Sequence, residues 1–191
     1  MSNSNGFHET KRAVFLDRDG TLNVEKEYLS RVDECELIPG AGRAIRRLNA
    51  AGWLVVVVTN QSGVARGYYG EEEVAALHRH MAAELALTGA AVAGWYYCPH
   101  HPSGGEPYNR PCDCRKPLPG MLLQAARNLD IDLSRSWMVG DKLADIEAGL
   151  AAGCRSVLVR TGYGRQDEHR LPSGVPVCDD LPAAAAYILA V

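Results

Sequence analysis

The 191-residue sequence is short of aromatic residues, which make up 7% of it, and it holds only 2 Phe. It has no excess of positive charge either: 20 Lys and Arg stand against 23 Asp and Glu, a formal charge of −3. That balance offers no basic footprint for nucleic acid or for an anionic membrane surface. Long apolar runs are missing as well. Ala13–Leu16, the first apolar run, is far too short for a signal-peptide core or a membrane span, so the expected location is the cytoplasm. What is left is an ordinary globular composition, 47% apolar and 23% charged. The length favours one domain over 1–191 that can bury a real core, with residues 1–11 as a flexible polar tail.

Cysteine is present in a place where disulfides seldom persist. Of 6 in the chain, Cys98, Cys112 and Cys114 crowd together, whereas Cys35, Cys154 and Cys178 are scattered and read as small core residues.

Apolar runs alternate with helical periodicity along the chain. Strands are expected at Ala13–Leu16, Leu54–Val58, Trp95–Cys98, Trp137–Val139, Ser156–Val159 and Val175–Cys178. Helices are expected over Ala41–Ala51, Glu71–Thr88, Gly120–Leu129, about Ala144–Ala152, and from Pro182. The valine-dominated run Leu54–Val58 suits a strand buried on both faces, as in a parallel sheet. The alternation predicts an α/β fold: a Rossmann-like three-layer α/β/α sandwich with a mainly parallel sheet. Right-handed crossovers would bring the strands' C-terminal ends to one edge, where open α/β sheets bind ligands. Three strands finish there in polar groups: Asp17 and Asp19, Thr59 and Asn60, and Asp141.

Asp17 and Asp19 lie two apart, so in extended geometry they share a face and repel unless a cation or a proton intervenes. On its own an Asp-x-Asp pair can merely cap a turn. The cluster Cys98-Pro99-His100 and Cys112-Asp113-Cys114 brackets a loop rich in proline and glycine that has too few apolar residues to hold itself together. Three thiolates and an imidazole form a standard closed Zn²⁺ set, which makes the metal structural. An accidental cluster or a redox pair are the alternatives, and His101 competes with His100 as the fourth ligand.

In order, Asp17-Arg18-Asp19-Gly20-Thr21-Leu22, Thr59, Arg115-Lys116-Pro117, and Gly140-Asp141 with Asp145 resemble the signature set of the haloacid dehalogenase (HAD) superfamily, mostly aspartate-based phosphatases. The resemblance spans nearly the whole chain. It implies Asp17 as nucleophile, Asp19 as general acid/base, and Thr59 and Lys116 as binders of the transferring phosphoryl group. It implies Mg²⁺ on Asp17, Asp141 and the backbone carbonyl of Asp19, with Asp145 orienting the site. Lys142 would reach the substrate or Asp17, or would be a solvated lysine.

Zinc in an insert over 98–116, placed directly before Arg115-Lys116, is similar to the heptose bisphosphate 7-phosphatases and the related histidinol-phosphate phosphatases. Val57–Gly63, Tyr97–Pro102 and Cys112–Pro117 agree with the heptose enzymes, whose pattern favours His100 over His101. That resemblance implies a sugar bisphosphate substrate lined by Glu25, Lys26, Glu27, Tyr28, Asn60, Gln61 and Ser62, with Arg115 recognising substrate. Only one loop and one helix separate Asp17 from Thr59, so no separate cap domain is expected, and a monomer suits the small substrate. A histidinol-phosphate phosphatase is the nearest rival. A non-catalytic zinc-stapled binding protein is the rival of another class, and a binding module would need neither a nucleophile nor its acid.

Overall fold

The structure is a computed structural model that describes residues 10–191. Of the expected tail, residues 1–9 lie outside the described residues. The expectation is corrected at its end, because Lys11 is already held: its N–H donates to Asp130 O at 2.9 Å and its carbonyl accepts from Asp132 N–H at 2.8 Å.

Six strands form one sheet: β1 Ala13–Leu16, β2 Leu54–Asn60, β3 Gly94–Cys98, β4 Trp137–Gly140, β5 Arg155–Val159 and β6 Val177–Cys178. Every pairing is parallel and the order is β3-β2-β1-β4-β5-β6. Strand alternation divides the core in two. Val14 and Leu16 of β1 and Val55 and Val57 of β2 face one cluster; Ala13, Phe15, Val56 and Val58 face the other. Each buried Val, Leu or Phe contributes about 1.5–3 kcal/mol by leaving water.

The helices cover both faces. On the first lie α1 (Ala41–Ala50), α3 (Glu71–Leu87) and α7 (Leu181–Ala190), through residues such as Ile45, Leu48, Leu77, Met81 and Ile188. On the second lie α4 (Gly120–Leu129) and α5 (Leu143–Ala151), through Met121, Leu122, Ala125 and Ala148. The start of α7 follows from its sequence: the Asp180 side chain accepts from Ala183 N–H at 2.8 Å, and Pro182 sits in the first turn, where its missing N–H costs nothing. Two short helices, α2 (Ser62–Ala65) and α6 (Gly164–Asp167), have too few residues to leave a periodic signal. Both sit just past strand ends.

The strand order reverses between β1 and β4. β1 has β2 on one side and β4 on the other, so the loops leaving them part to opposite sides and open a crevice at their C-terminal ends. Asp17 follows β1 directly and Asp141 follows β4 directly. Their spacing across the crevice is fixed by the ladder, in which Asp17 N–H donates to Val139 O at 2.9 Å.

Candidate active site

The crevice floor holds three carboxylates. Asp17, Asp141 and Asp145 each place an oxygen within 4.8 Å of the others, and all three are buried. Gly20, with φ of +86°, and Gly162, with φ of +55°, flank the Asp141 carboxylate so closely that a Cβ on either would overlap it. Tyr163 N–H donates to Asp141 Oδ2 at 2.8 Å, while Oδ1 is buried and has no hydrogen-bond partner. Burial, reinforced by the charges of Asp17 and Asp145, pushes Asp141 far above the ordinary carboxylate range. An unpartnered buried oxygen inside a carboxylate cluster suits a hard divalent cation with oxygen ligands.

Lys116 supplies the cluster's positive charge. Its Nζ lies 2.7 Å from Asp17 Oδ1 and 2.6 Å from Asp145 Oδ1, and it donates to Val58 O at 2.8 Å. Burial opposes its charge, but Asp145 and Asp17 outweigh burial and raise its pKa. Asp145 also accepts Lys142 N–H through Oδ2 at 3.0 Å, so it holds Lys116 and the start of α5 together.

Asp19 is bound differently. Burial would raise its pKa, yet Arg18, Asn23 and Gln61 together hold it below the ordinary range. Arg18 is fully buried and donates to Asp19 Oδ2 from Nη2 at 2.9 Å; Asn23 Nδ2 donates to Oδ1 at 3.1 Å.

Asp19 also lines an open cavity of about 620 Å³, together with Glu25, Glu27, Tyr28, Asn60, Gln61, Ser62, Arg115 and Lys142. Lys142 Nζ is 3.1 Å from Glu25 Oε2 and 4.6 Å from the Tyr163 ring centroid, so this half-exposed side chain rests against the cavity wall. Burial raises Glu25 despite Lys142, and Lys142 itself is raised because its carboxylate neighbours overcome burial. Arg115 Nη1 donates to Ser62 Oγ at 3.0 Å and His100 O at 3.2 Å.

Two expected sugar contacts, Lys26 and Gln61, are corrected. Lys26 is not in the cavity wall; its Nζ turns back to donate to Glu34 O at 2.7 Å. Asn60 lines the cavity and also anchors Lys116, donating to Lys116 O at 3.0 Å and accepting from Lys116 N–H at 3.0 Å. Gln61 is 1% exposed and is likewise engaged by protein groups. Sequence reasoning missed Arg18, Tyr69, Tyr163, Gln166 and Asp167. The last four line the cavity. The signal for Tyr163 was available, since Thr161–Gly164 follows β5 on the same sheet edge.

The cysteine cluster assembles as a four-donor set. Cys98 Sγ is 3.6 Å from Cys112 Sγ, 3.0 Å from Cys114 Sγ and 3.7 Å from His100 Nδ1; His100 Nδ1 is 3.4 Å from Cys114 Sγ. Metal–ligand bonds of about 2.0–2.3 Å give tetrahedral edges of about 3.3–3.8 Å, so the set fits zinc with little adjustment. His101 is turned away, accepting Ser103 N–H through Nδ1 at 3.0 Å. The loop docks on the neighbouring shoulder: Tyr97 and Tyr108 hydroxyls both donate to the Glu71 carboxylate, and Gly105 N–H donates to Ala65 O at 2.7 Å.

A family model described as HAD-hydrolase-like matches residues 113–184. The chain is 46% identical to the D-glycero-beta-D-manno-heptose-1,7-bisphosphate 7-phosphatase of Pasteurella multocida, over 94% of this chain and 91% of that protein. It is 51% identical to the same-named protein of Escherichia coli K12, over 78% of this chain and 80% of that protein. Among solved structures it resembles the D,D-heptose 1,7-bisphosphate phosphatase from B. bronchiseptica complexed with magnesium and phosphate. That match has a TM-score of 0.85 and 42% identity, covering 94% of this chain and 98% of the other. With a Rossmann-like sheet, an acidic crevice and this extent of identity, the chain belongs to the D-glycero-beta-D-manno-heptose-1,7-bisphosphate 7-phosphatase family of HAD-like hydrolases.

Proposed function

We propose that the protein is a magnesium-dependent phosphatase that removes the C7 phosphate of D-glycero-D-manno-heptose 1,7-bisphosphate and releases the heptose 1-phosphate. The step belongs to the making of activated heptose for lipopolysaccharide. The observation that carries the reading is the position of Lys116: one buried ammonium joins Asp17 to Asp145, beside a cavity lined by Asp19 and Arg115 that is large enough for a sugar bisphosphate.

Asp17 would attack phosphorus in line, forming an aspartyl-phosphate as the bond to the C7 oxygen breaks. Asp19 would give its proton to that oxygen and then take one from the water that hydrolyses the intermediate, which returns both carboxyls to their starting state. Thr59 and Lys116 would hold the equatorial phosphoryl oxygens, where charge is greatest in a loose transition state. Mg²⁺, held by Asp17, Asp141 and the Asp19 carbonyl, would neutralise charge on the same oxygens. Arg115, Lys142, Glu25, Glu27, Tyr28 and Ser62 would bind the rest of the substrate, with Arg115 suited to the phosphate that stays. Zinc on Cys98, His100, Cys112 and Cys114 would act at a distance by fixing Arg115 and Lys116. A monomer working on a small soluble substrate in the cytoplasm completes the proposal.

The test is Asp17→Asn, which keeps the shape and removes the nucleophile. Phosphate release from the bisphosphate should fall to background in a folded protein. Turnover near the parent rate would refute the covalent mechanism.

A further inference from the structure

Gln61 stands where β2 gives way to α2. Its Nε2 donates to Asp19 Oδ2 at 2.9 Å and to Thr59 Oγ1 at 2.8 Å, while Oε1 accepts from Arg18 Nη2 at 3.0 Å and from the Tyr69 hydroxyl at 2.8 Å. Two donors and two acceptor sites are all that a carboxamide has, so nothing is left for a sugar hydroxyl. The partners also fix which end is which. A guanidinium can only donate, so flipping the amide would set Nε2 against the Arg18 donor.

The surroundings are shaped to keep this arrangement. Tyr69 reaches Oε1 by laying its ring over Gly63, where a Cβ would run into the ring. Arg18 is fully buried and grips Asp19 and Gln61 with the same Nη2. Of the three side chains that donate to Asp19 among the described residues, Arg18 and Asn23 belong to the same loop as Asp19 and travel with it. Gln61 comes from the end of β2, which also carries Thr59. It is the tie between the proton-transfer group and the phosphoryl-binding group.

We infer that Gln61, clamped by Arg18 and Tyr69, is a positioning residue that holds the Asp19 carboxyl at a set place relative to Thr59, and thereby sets how well the leaving oxygen is protonated. This rests on the reading of Asp19 as the acid/base. A displacement of about 1 Å in such a group can cost on the order of 100-fold in rate.

The experiment uses leaving-group demand. An alkoxide leaving from a sugar needs protonation as the P–O bond breaks, whereas p-nitrophenolate is a weak base and needs little. The readout is the ratio of kcat/KM on the heptose bisphosphate to kcat/KM on p-nitrophenyl phosphate, because kcat/KM reports the cleavage step. Asp19→Asn should lower the ratio about 100-fold or more, the usual range for general acid catalysis. Gln61→Met should lower it about 10-fold, and Tyr69→Phe, which keeps the ring and loses only the hydroxyl on Oε1, about 2- to 5-fold in the same direction. An equal loss on both substrates for the Gln61 and Tyr69 variants, with the ratio still falling for Asp19→Asn, would overturn the positioning role and leave the acid assignment standing. A ratio unchanged in Asp19→Asn would overturn the acid assignment itself and the inference with it. Should Gln61→Met fail to fold, Tyr69→Phe decides alone, and an unchanged ratio there contradicts the inference.

Discussion

Lys116 Nζ sits 2.7 Å from Asp17 Oδ1, and the loop that delivers it to that spot ends in Cys112 and Cys114 of the metal set. Lys116, which balances the charge of Asp17, is therefore two positions from Cys114 of the four-donor set.

Removing that ammonium should be costly in two ways. Lys116→Met would leave Asp17 and Asp145 buried without their cation, and breaking a buried ion pair this way costs about 3–5 kcal/mol. Urea denaturation without Mg²⁺ should show a loss of that size, and phosphate release should fall at least about 100-fold. Lys116→Arg should restore neither, because a planar guanidinium is bulkier than the ammonium that fills this buried space.

Loss of the zinc set should act through geometry. Cys112→Ser should lower bound zinc and loosen the loop, raising KM for the bisphosphate and lowering kcat while Asp17 and Asp141 stay in place. Metal analysis of the parent protein should find one tightly held zinc per chain. Finding no transition metal would sink the assignment.

Much of this arrangement is legible in the sequence because it is carried by periodicity and by strand ends. Val55–Val58 declare a strand buried on both faces, and the polar residues that end such strands must meet at one edge once the sheet is parallel. Asp17, Thr59 and Asp141 could be gathered from that alone. What could not be read was where each polar side chain spends its hydrogen bonds. Asn60 and Gln61 sit at a strand end like Thr59, yet one anchors the Lys116 backbone while lining the cavity and the other is taken up by protein groups that include Asp19 and Thr59. Arg18 is hidden for a similar reason: its place between two aspartates does not say where its guanidinium goes, and only the fold shows it fully buried against Asp19.

Arg115 should govern substrate choice. It lines the cavity and is held by Ser62 Oγ and His100 O. Charge-assisted hydrogen bonds contribute about 1.5–3 kcal/mol, so Arg115→Ala should cost roughly 10- to 150-fold in kcat/KM for the bisphosphate. A small monophosphate that never reaches Arg115 should lose much less. Parallel kinetics on the two substrates check it; equal losses would count against a role in binding the remaining phosphate.

A fourth expectation concerns acid stability. His78 is buried against the Trp95 ring at 4.8 Å, and burial, helped by the Arg18 charge and partly offset by Asp19, pushes its pKa down to about 3. Because the folded value lies below the unfolded value of about 6.5, the unfolded chain binds the extra proton in between. The stability is complete above pH 6.5 and is lost as pH falls towards 3, at up to about 1.4 kcal/mol per pH unit. Urea midpoints measured from pH 7 to pH 4 should fall less steeply for His78→Leu, by close to one proton. Identical slopes would show that other groups set the acid limb.

The central claim is that one phosphate is taken, from C7, at Asp17. The direct measurement is ³¹P NMR of heptose 1,7-bisphosphate incubated with the protein and Mg²⁺. The account predicts loss of the primary C7 ester signal, one equivalent of inorganic phosphate, and a persisting C1 phosphate signal, with no reaction in Asp17→Asn. Loss of the C1 signal, release of both phosphates, or no release under conditions where histidinol phosphate is hydrolysed would contradict it.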